Sequence, residues 1–543
     1  MGKAVKKFVF DTVPLDQLPI AKGKKIEFDS LAEMVVTRAQ EIPDNPYILF
    51  YDQVITYRQV NEQANRVANY LKSKGIKKGD IVSFLVNNSP ESFYILFGIQ
   101  KLGAIAGAIN FMLQGPEIAY LLDDSKPRIV FAGSDFMKPF AAGYEQSSHK
   151  PIVVEIVTDI VHTCQLAEKT LSDILNNYSD DEALVPQKPD DPFLLLYSSG
   201  TTGRPKGILL KNAGEFALCR AIGGMNAARE GDVFLMVLPF FHVNPICVWT
   251  FPIMFGGLTI CLRKTISPND FWDPILEYGV TIVMGVPALY AYMLACVDPA
   301  KIDRSRLKLR YAFSGAAPMP VDLINTFKEK FDVEIIEGFG LSEACGMSTL
   351  NPPLNERKLG SIGVAIPGSD VKILDDDNRE MPTGEKGEIC VRGDQVMLCY
   401  FNNPEATKES IRDGWLHTGD MGYMDEEGFM FIVDRKNDMI IRGGENIYPR
   451  EVEIAIETHP KVLEVAVIGV PDPVLSEQVK ACIILQANES LTYDELKEYL
   501  NDKLARYKIP SFVEFVNDFP RNLTGKILKK ELRRLDQEKG TRA

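Results

Sequence analysis

Eleven residues from Tyr197 to Gly207, YSSGTTGRPKG, hold four Ser or Thr hydroxyls, three glycines and one lysine. Those types at that density suit an anion. Gly200, Gly203 and Gly207 allow positive φ and let backbone N–H groups crowd a ligand, Ser198, Ser199, Thr201 and Thr202 add donors, and Lys206 adds a charge. The stretch reads as a polyphosphate cradle. It lacks the GxxxxGK[ST] spacing of a Walker loop, which sets aside the usual P-loop NTPase reading. Ser, Thr, Gly and Pro also make ordinary linkers. Here, however, the apolar run PFLLLYSS begins at Pro192 and ILL follows at Ile208, so the stretch joins two buried strands.

The elements around it are those of an α/β fold. Asp80 to Asn87 (DIVSFLVN) reads as a strand, and Ser89 with Pro90 occupies the cap and first turn of a helix running to about Leu102. AIAGAIN from Ala104 and PRIVFAG from Pro127 read as strands flanking the helix GPEIAYLLDD, and GVTIVMGVP from Gly279 and LRYAFSG from Leu309 continue the alternation. Past about Gly360, closely spaced strands with Gly and Pro turns predict a β-rich subdomain. From about Asp434 a new α+β unit of roughly 105 residues follows, large enough to be a domain. In it Val462–Val470 and Val479–Leu485 read as strands. Thr492 with Glu495 forms a capping box for a helix ending near Leu504, and Gly525 begins a last basic helix.

A length of 543 residues exceeds one hydrophobic core and predicts two to four domains. A net charge of −14 argues against a general nucleic-acid binder. Residues 435–543 carry 18 basic and 18 acidic side chains, so the whole deficit lies in the first 434. The nine cysteines are never closer than nine residues, which excludes a CxxC pair and fits reduced thiols in a cytoplasm. The N-terminus has Lys6 where a myristoylation motif wants Ser or Thr, and no secretory apolar region follows. Phe234 to Leu262 has no Asp, Glu, Lys or Arg, but Pro239, Pro245, Pro252 and the Gly256–Gly257 pair interrupt it, so it reads as buried core and ligand pocket rather than a membrane span.

Further stretches follow the cradle in a fixed order: PFFHV at 239–243, SGAAP at 314–318, EGFGLSEA at 337–344, TGD at 418–420, DRKNDMIIRGGENI from Asp434 and RNLTGK at 521–526. With this ordered set the sequence resembles, over nearly its whole length, the adenylate-forming superfamily of acyl-CoA synthetases, luciferases and peptide-synthetase adenylation domains. The DRKNDMIIRGGENIYPREVE block is most similar to the fatty-acid and carnitine-type CoA ligases. The resemblance implies a large N-terminal AMP-binding domain of stacked α/β sheets (1–434, its β-rich part about 360–434), a hinge at 435–438, and a small mobile α+β lid domain at 439–543. It also implies a reaction in which a carboxylate attacks the α-phosphate of MgATP, pyrophosphate leaves, and a thiol captures the acyl-adenylate.

The same resemblance distributes the roles. The cradle, Ser198 to Gly203 with Lys206, would hold the phosphates. Glu343, beside Ser342, would ligate Mg²⁺ together with Thr202. Gly315, Ala316 and Ala317 on one side and Glu337, Gly338, Phe339 and Gly340 on the other would enclose the adenine. Phe339 stands where the family usually has Tyr, which keeps stacking and loses a phenol hydrogen bond. Asp420 suits the paired ribose hydroxyls, with Ile432 and Arg435 beside it. Lys526 would bridge the attacking oxygen and the α-phosphate. His242, with no partner at metal-ligand spacing, would gate access of the thiol. Gly443, Gly444 and Glu445 would pass pantetheine, and Asn437, where relatives usually carry Asp or Lys, would be the pivot.

Val243, Asn244, Val248, Tyr290, Ala316 and Met347 are the expected acyl pocket, mostly apolar and without a cation for a second carboxylate. A short or medium aliphatic, alicyclic or aromatic monocarboxylic acid is the expected substrate. The co-substrates are ATP and CoA with Mg²⁺, and a monomer or homodimer is expected. A stand-alone enzyme loading an acyl carrier protein is the alternative. A catalytically silent nucleotide-binding protein on the same fold is a third reading, against which every matched polar position is chemically intact. An α-amino acid is disfavoured, because Phe240 to Val243 offer no Asp to its ammonium.

Overall fold

The computed structural model describes residues 24–540 apart from 159–165, 199–204, 226–227, 266, 268–270, 297–301, 316–318, 354–356, 443–444, 473–474, 502 and 522–526. The chain divides into two compact units. One comprises Lys7–Val371 and Val391–Leu416; the other comprises Lys372–Cys390, His417–Ala543 and the first six residues. Residues 417–434 therefore group with the C-terminal residues, across the 434/435 boundary drawn from the sequence. The reason is local: Asp420 to Met424 pairs antiparallel with Met430 to Arg435, and this hairpin leads directly into the C-terminal segment.

The larger unit holds two sheets. In the nine-stranded sheet, Glu334–Phe339, Tyr311–Ser314, Ile282–Gly285, Val233–Met236, Thr259–Leu262 and Pro46–Phe50 run parallel in that order. In the eight-stranded sheet, Pro192–Ser198, Ile105–Ala108, Ile81–Leu85, Ile129–Gly133, Ile152–Ile156 and Ala167–Thr170 do the same. Ile81–Leu85, Ile105–Ala108 and Ile129–Gly133 are buried at every position, as parallel strands covered on both faces must be. The expected helix spans Pro90–Lys101. Ser89 has extended cap geometry but makes no side-chain cap bond, and Ser92 Oγ instead donates to Asn87 O at 2.7 Å. Gly98 lets this helix cross the helix Tyr57–Ser73 closely, since a Cβ there would lie 2.7 Å from Val67 Cβ.

The uncharged stretch 234–262 breaks into the strand Val233–Met236, a π-helix Asn244–Thr250, a helix Phe251–Gly256 and the strand Thr259–Leu262. Among the described residues no helix is long and apolar enough to cross a membrane.

In the smaller unit Val462–Asp472 and Ser476–Leu485 pair antiparallel, and Ile440, Val452, Val467 and Ile483 form its fully buried centre with helices Pro449–Glu457 and Tyr493–Leu500. The capping box at Thr492 is present, but its helix ends at Leu500 rather than near Leu504, and single turns follow. The last helix is Lys529–Gly540, starting four residues later than Gly525. An antiparallel bridge between Arg521 and Ile527 and the Leu528 N–H to Pro520 O bond hold residue 527 in extended pairing and delay the helix.

Candidate active site

Pro192–Ser198 and Lys206–Lys211 pair antiparallel with Ser198 opposite Lys206, so the strands that flank the cradle are register partners. Ser199, Gly200, Thr201, Thr202 and Gly203 lie outside the described residues; their anchors do not. Tyr197 OH donates to Asp124 Oδ2 at 2.5 Å, and Tyr120 OH donates to Pro205 O at 3.1 Å. On the other edge of the hairpin, strand Cys399–Phe401 places Tyr400 opposite Ile208. Lys206 Nζ lies 5.0 Å from the Tyr400 ring centroid, and Tyr400 OH donates to Glu343 Oε1 at 2.8 Å. Burial and the Glu343 charge both push the Tyr400 phenol well up, so it acts as a neutral donor. Tyr400 thus joins a cation of the cradle to the candidate metal ligand.

Glu343 itself lies in a tight turn. Gly346 N–H donates to Leu341 O at 2.9 Å and Ser348 N–H to Phe339 O at 2.8 Å. Gly340 has no room for a side chain, since a Cβ there would lie 2.2 Å from Gly346 O. Gly346, at φ +92°, would bring a Cβ to 2.9 Å from Val248 Cγ2 and 3.3 Å from Val243 Cγ1. The FGLSEACG turn is therefore packed directly on the PFFHV segment. That segment is started by the buried Asn88, whose Oδ1 accepts Phe240 N–H at 2.9 Å and whose Nδ2 donates to Leu238 O at 3.0 Å. The His242 ring lies 4.2 Å from that of Phe241 at a 45° tilt, and burial lowers its pKa to about 4, so the ring is neutral at neutral pH.

Ser314 pairs with Glu337, which sets Gly315 against the Gly338 backbone at 3.6 Å from its would-be Cβ. Gly338 pairs with Leu350 and Phe339 with Thr349. The Glu337 carboxyl is pushed up to about 7 by burial, against one opposing hydrogen bond from Gly360 N–H. Ala316 and Ala317 lie outside the described residues.

Asp420 and Arg435 are cross-strand register partners, and Arg435 Nε lies 2.6 Å from Asp420 Oδ1. Asp420 is buried and Arg435 exposed, an arrangement in which the cation fixes the carboxylate from the solvent side. Ile432 pairs with Gly422 on the same hairpin. Asn437 lies in the turn Lys436–Asp438; its side chain is not described. Its neighbours are pinned: Lys436 Nζ to Asp376 Oδ1 at 2.6 Å and Glu388 Oε2 at 3.1 Å, Asp438 to Arg533 at 2.8 Å. Glu445 starts a strand paired with Ile440–Arg442. Gly443, Gly444 and Lys526 lie outside the described residues.

An apolar cleft lies behind the turn, lined by Ile222, Met225, Phe234, Trp249, Phe313 and Met347. Of the residues expected to line the acyl pocket, Met347 borders this cleft. Val243 and Val248 pack against Gly346 instead. Asn244 Oδ1 is buried without a partner among the described residues. Tyr290 is set apart: its OH donates to Phe313 O at 2.6 Å and its ring meets Phe327 at 5.4 Å in the core. Tyr400, Asn88, Trp249 and Glu388 are the functional candidates that the motifs did not reveal. The signal for Tyr400 was its place in MLCYF, a short apolar run with one polar tip.

Residues 35–401 match the family model "AMP-binding enzyme" and residues 451–526 match "AMP-binding enzyme C-terminal domain". The chain is 38% identical over 485 residues to the long-chain-fatty-acid–CoA ligase FadD13 of Mycobacterium tuberculosis (strain ATCC 25618 / H37Rv), covering 89% of this chain and 93% of that protein. It is 34% identical over 492 residues to the crotonobetaine/carnitine–CoA ligase of Proteus mirabilis (strain HI4320), covering 88% and 92%. The fatty acid–[acyl-carrier-protein] ligase ScoC of Streptomyces coeruleorubidus is 32% identical over 515 residues, covering 93% and 96%. Among solved structures, a Mycobacterium tuberculosis fatty acyl CoA synthetase superposes with a TM-score of 0.75 at 34% identity, covering 94% of this chain and 99% of that one.

Proposed function

Because the chain belongs to the AMP-binding enzyme family, we infer that it is an AMP-forming acid–thiol ligase that converts a monocarboxylic acid, ATP and CoA to acyl-CoA, AMP and pyrophosphate. A carboxylate oxygen of the acid attacks the α-phosphorus and the bond to pyrophosphate breaks. The CoA sulfur then attacks the acyl carbon and AMP leaves with the electron pair. The observation that carries this reading is the line Lys206–Tyr400–Glu343, which brings a cradle cation and an acidic side chain under one phenol.

The cradle holds the leaving phosphates and Lys206 neutralises part of their charge. Glu343 fits a hard cation, since one oxygen is held by a neutral donor, Tyr400 OH, and no cation among the described residues is paired with it. Glu343, with Thr202, would hold Mg²⁺, which supplies charge neutralisation at the phosphates. Asp420 and Arg435 take the ribose, Phe339 and Gly315 the adenine. Neutral His242 shields the acyl carbon until the thiol arrives. Lys526 serves adenylation, and rotation at Asn437 within the 435–438 hinge brings Gly443 to Glu445 to serve thiolation.

The all-apolar cleft beside Met347 supports an uncharged acyl group. A second reading, in which the accepting thiol belongs to a carrier protein, is favoured by the similarity to ScoC. A panel of carboxylic acids assayed for AMP release tests both. Release that needs CoA supports the ligase; release stimulated by a phosphopantetheinylated carrier and not by CoA supports the second reading, and no acid-dependent release overturns both.

A further inference from the structure

Glu388 is 5% exposed, and three donors meet its carboxylate. Gly419 N–H donates to Oε1 at 2.9 Å, Lys436 Nζ donates to Oε2 at 3.1 Å, and His417 Nδ1 lies 3.0 Å from Oε2. His417 Nε2 in turn lies 2.8 Å from Asn378 Oδ1. The donors come from two places. His417 and Gly419 flank Thr418, whose Oγ1 donates to Ile389 O at 2.7 Å and accepts Asp420 N–H at 3.1 Å. Lys436 stands between Arg435 and Asn437.

We propose that Glu388 is a positioning residue of the ligase reaction, one whose two oxygens yoke the Thr418–Asp420 turn to the Lys436–Asn437 junction. The proposal rests on the reading of Asp420 as the ribose ligand and Asn437 as the pivot. Its physical basis is that a buried carboxylate cannot release one donor without leaving charge unbalanced. A change at Lys436 is therefore transmitted to Gly419, the residue that aims Asp420. Arg435, cross-strand from Asp420, closes the loop from the other side.

Glu388, Cys390 and His417 also bring one ligand atom each to within 4.8 Å of one another, the donor set of a zinc site. The Lys436 ammonium already faces the same Oε2, and a divalent cation there would meet a like charge. The arrangement therefore favours the yoke over a metal.

The test uses the full chain and reads the KM for ATP in carboxylate-dependent pyrophosphate exchange separately from thioester formation on supplied acyl-adenylate. Glu388→Gln keeps an acceptor for Gly419 and weakens the hold on Lys436; it should raise the KM for ATP and slow thioester formation, each about 10-fold. Lys436→Met, whose loss the yoke transmits to Gly419, should also raise the KM for ATP and slow thioester formation, with the double variant no worse than Glu388→Gln. A purely structural role would lower both half-reactions together with melting temperature, and that pattern overturns the yoke. So do additive effects, or one zinc per chain that Glu388→Gln removes. If Glu388→Gln fails to fold, Lys436→Met decides alone: a raised KM for ATP at unchanged melting temperature supports the yoke, and an unchanged KM overturns it. Asp420→Ala separates the premises: an unchanged KM for ATP there overturns the ribose reading, whereas a raised KM with a silent Glu388→Gln overturns only the yoke.

Discussion

Beside the strands that flank the cradle the intermediary between Lys206 and Glu343 is a neutral phenol; at the Thr418–Asp420 turn the intermediary between Lys436 and Gly419 is a buried carboxylate. Tyr400 stabilises its neighbours without spending either charge, so both Lys206 and Glu343 keep theirs. Glu388 does the reverse and consumes the charge of Lys436. A third carboxyl completes the contrast. Burial alone would raise Glu388, but His417, Gly419 N–H and Lys436 hold it down to about 2, whereas Glu337, with one opposing backbone donor, rises to about 7. Donor number, rather than burial, decides which acid stays ionised.

The strongest way to break the contrast is Glu388→Leu, which leaves Gly419 N–H without its acceptor and Lys436 with Asp376 alone. A loss of about 1–3 kcal/mol in chemical denaturation is expected, as for a buried N–H left without its acceptor; a loss below about 0.5 kcal/mol would mean that the carboxylate is not engaged in solution.

Tyr400→Phe is gentler, since it deletes one hydrogen bond to Glu343 and keeps the ring under Lys206. The Mg²⁺ concentration for half-maximal pyrophosphate exchange should rise about 3- to 10-fold with melting temperature unchanged. Tyr400→Leu, which also removes the ring, should further weaken ATP binding in calorimetry by roughly 0.5–1 kcal/mol. Equal behaviour of the two variants would show that the ring contributes nothing.

Glu337 sharpens the comparison through pH. Its folded value of about 7 exceeds the free-chain value of about 4.3. Its proton-linked stability is thus complete below about 4.3 and is lost as pH rises through about 7. Glu337→Gln should flatten the stability profile between those limits, and a profile parallel to that of the unaltered chain would refute the raised value.

The smallest effect is expected at His242, whose ring titrates at about 4. Between pH 6 and 9 the rate profile should carry no step that His242→Gln removes, although thioester formation itself should slow. A step near 6.5 abolished by that variant would place a charged imidazole in the site.

The sequence displays what is local. The cradle's hairpin, the helix after Ser89 and the Gly340–Gly346 turn each depend on neighbours within a dozen residues, so composition and spacing reveal them. Tyr400, Glu388 and Asn88 act on Glu343, Gly419 and Phe240, which lie 57, 31 and 152 residues away, and no periodicity encodes such pairs. Tyr290, expected in the acyl pocket, has its hydroxyl bonded to Phe313 O and its ring in the core under the sheet. The late start of the last helix has the same origin, since the Arg521–Ile527 bridge is a pairing that helix propensity does not register.

The crowding at Gly340 bears on how the enzyme could be retuned for other acids. A Cβ there would sit 2.2 Å from a carbonyl oxygen of its own turn, so even alanine requires the backbone to move. Trp249 and Phe234, in contrast, line the apolar cleft. A mutant library aimed at acyl scope should therefore randomise the cleft wall and hold position 340 constant, and deep sequencing of its active members should recover glycine there at nearly every read.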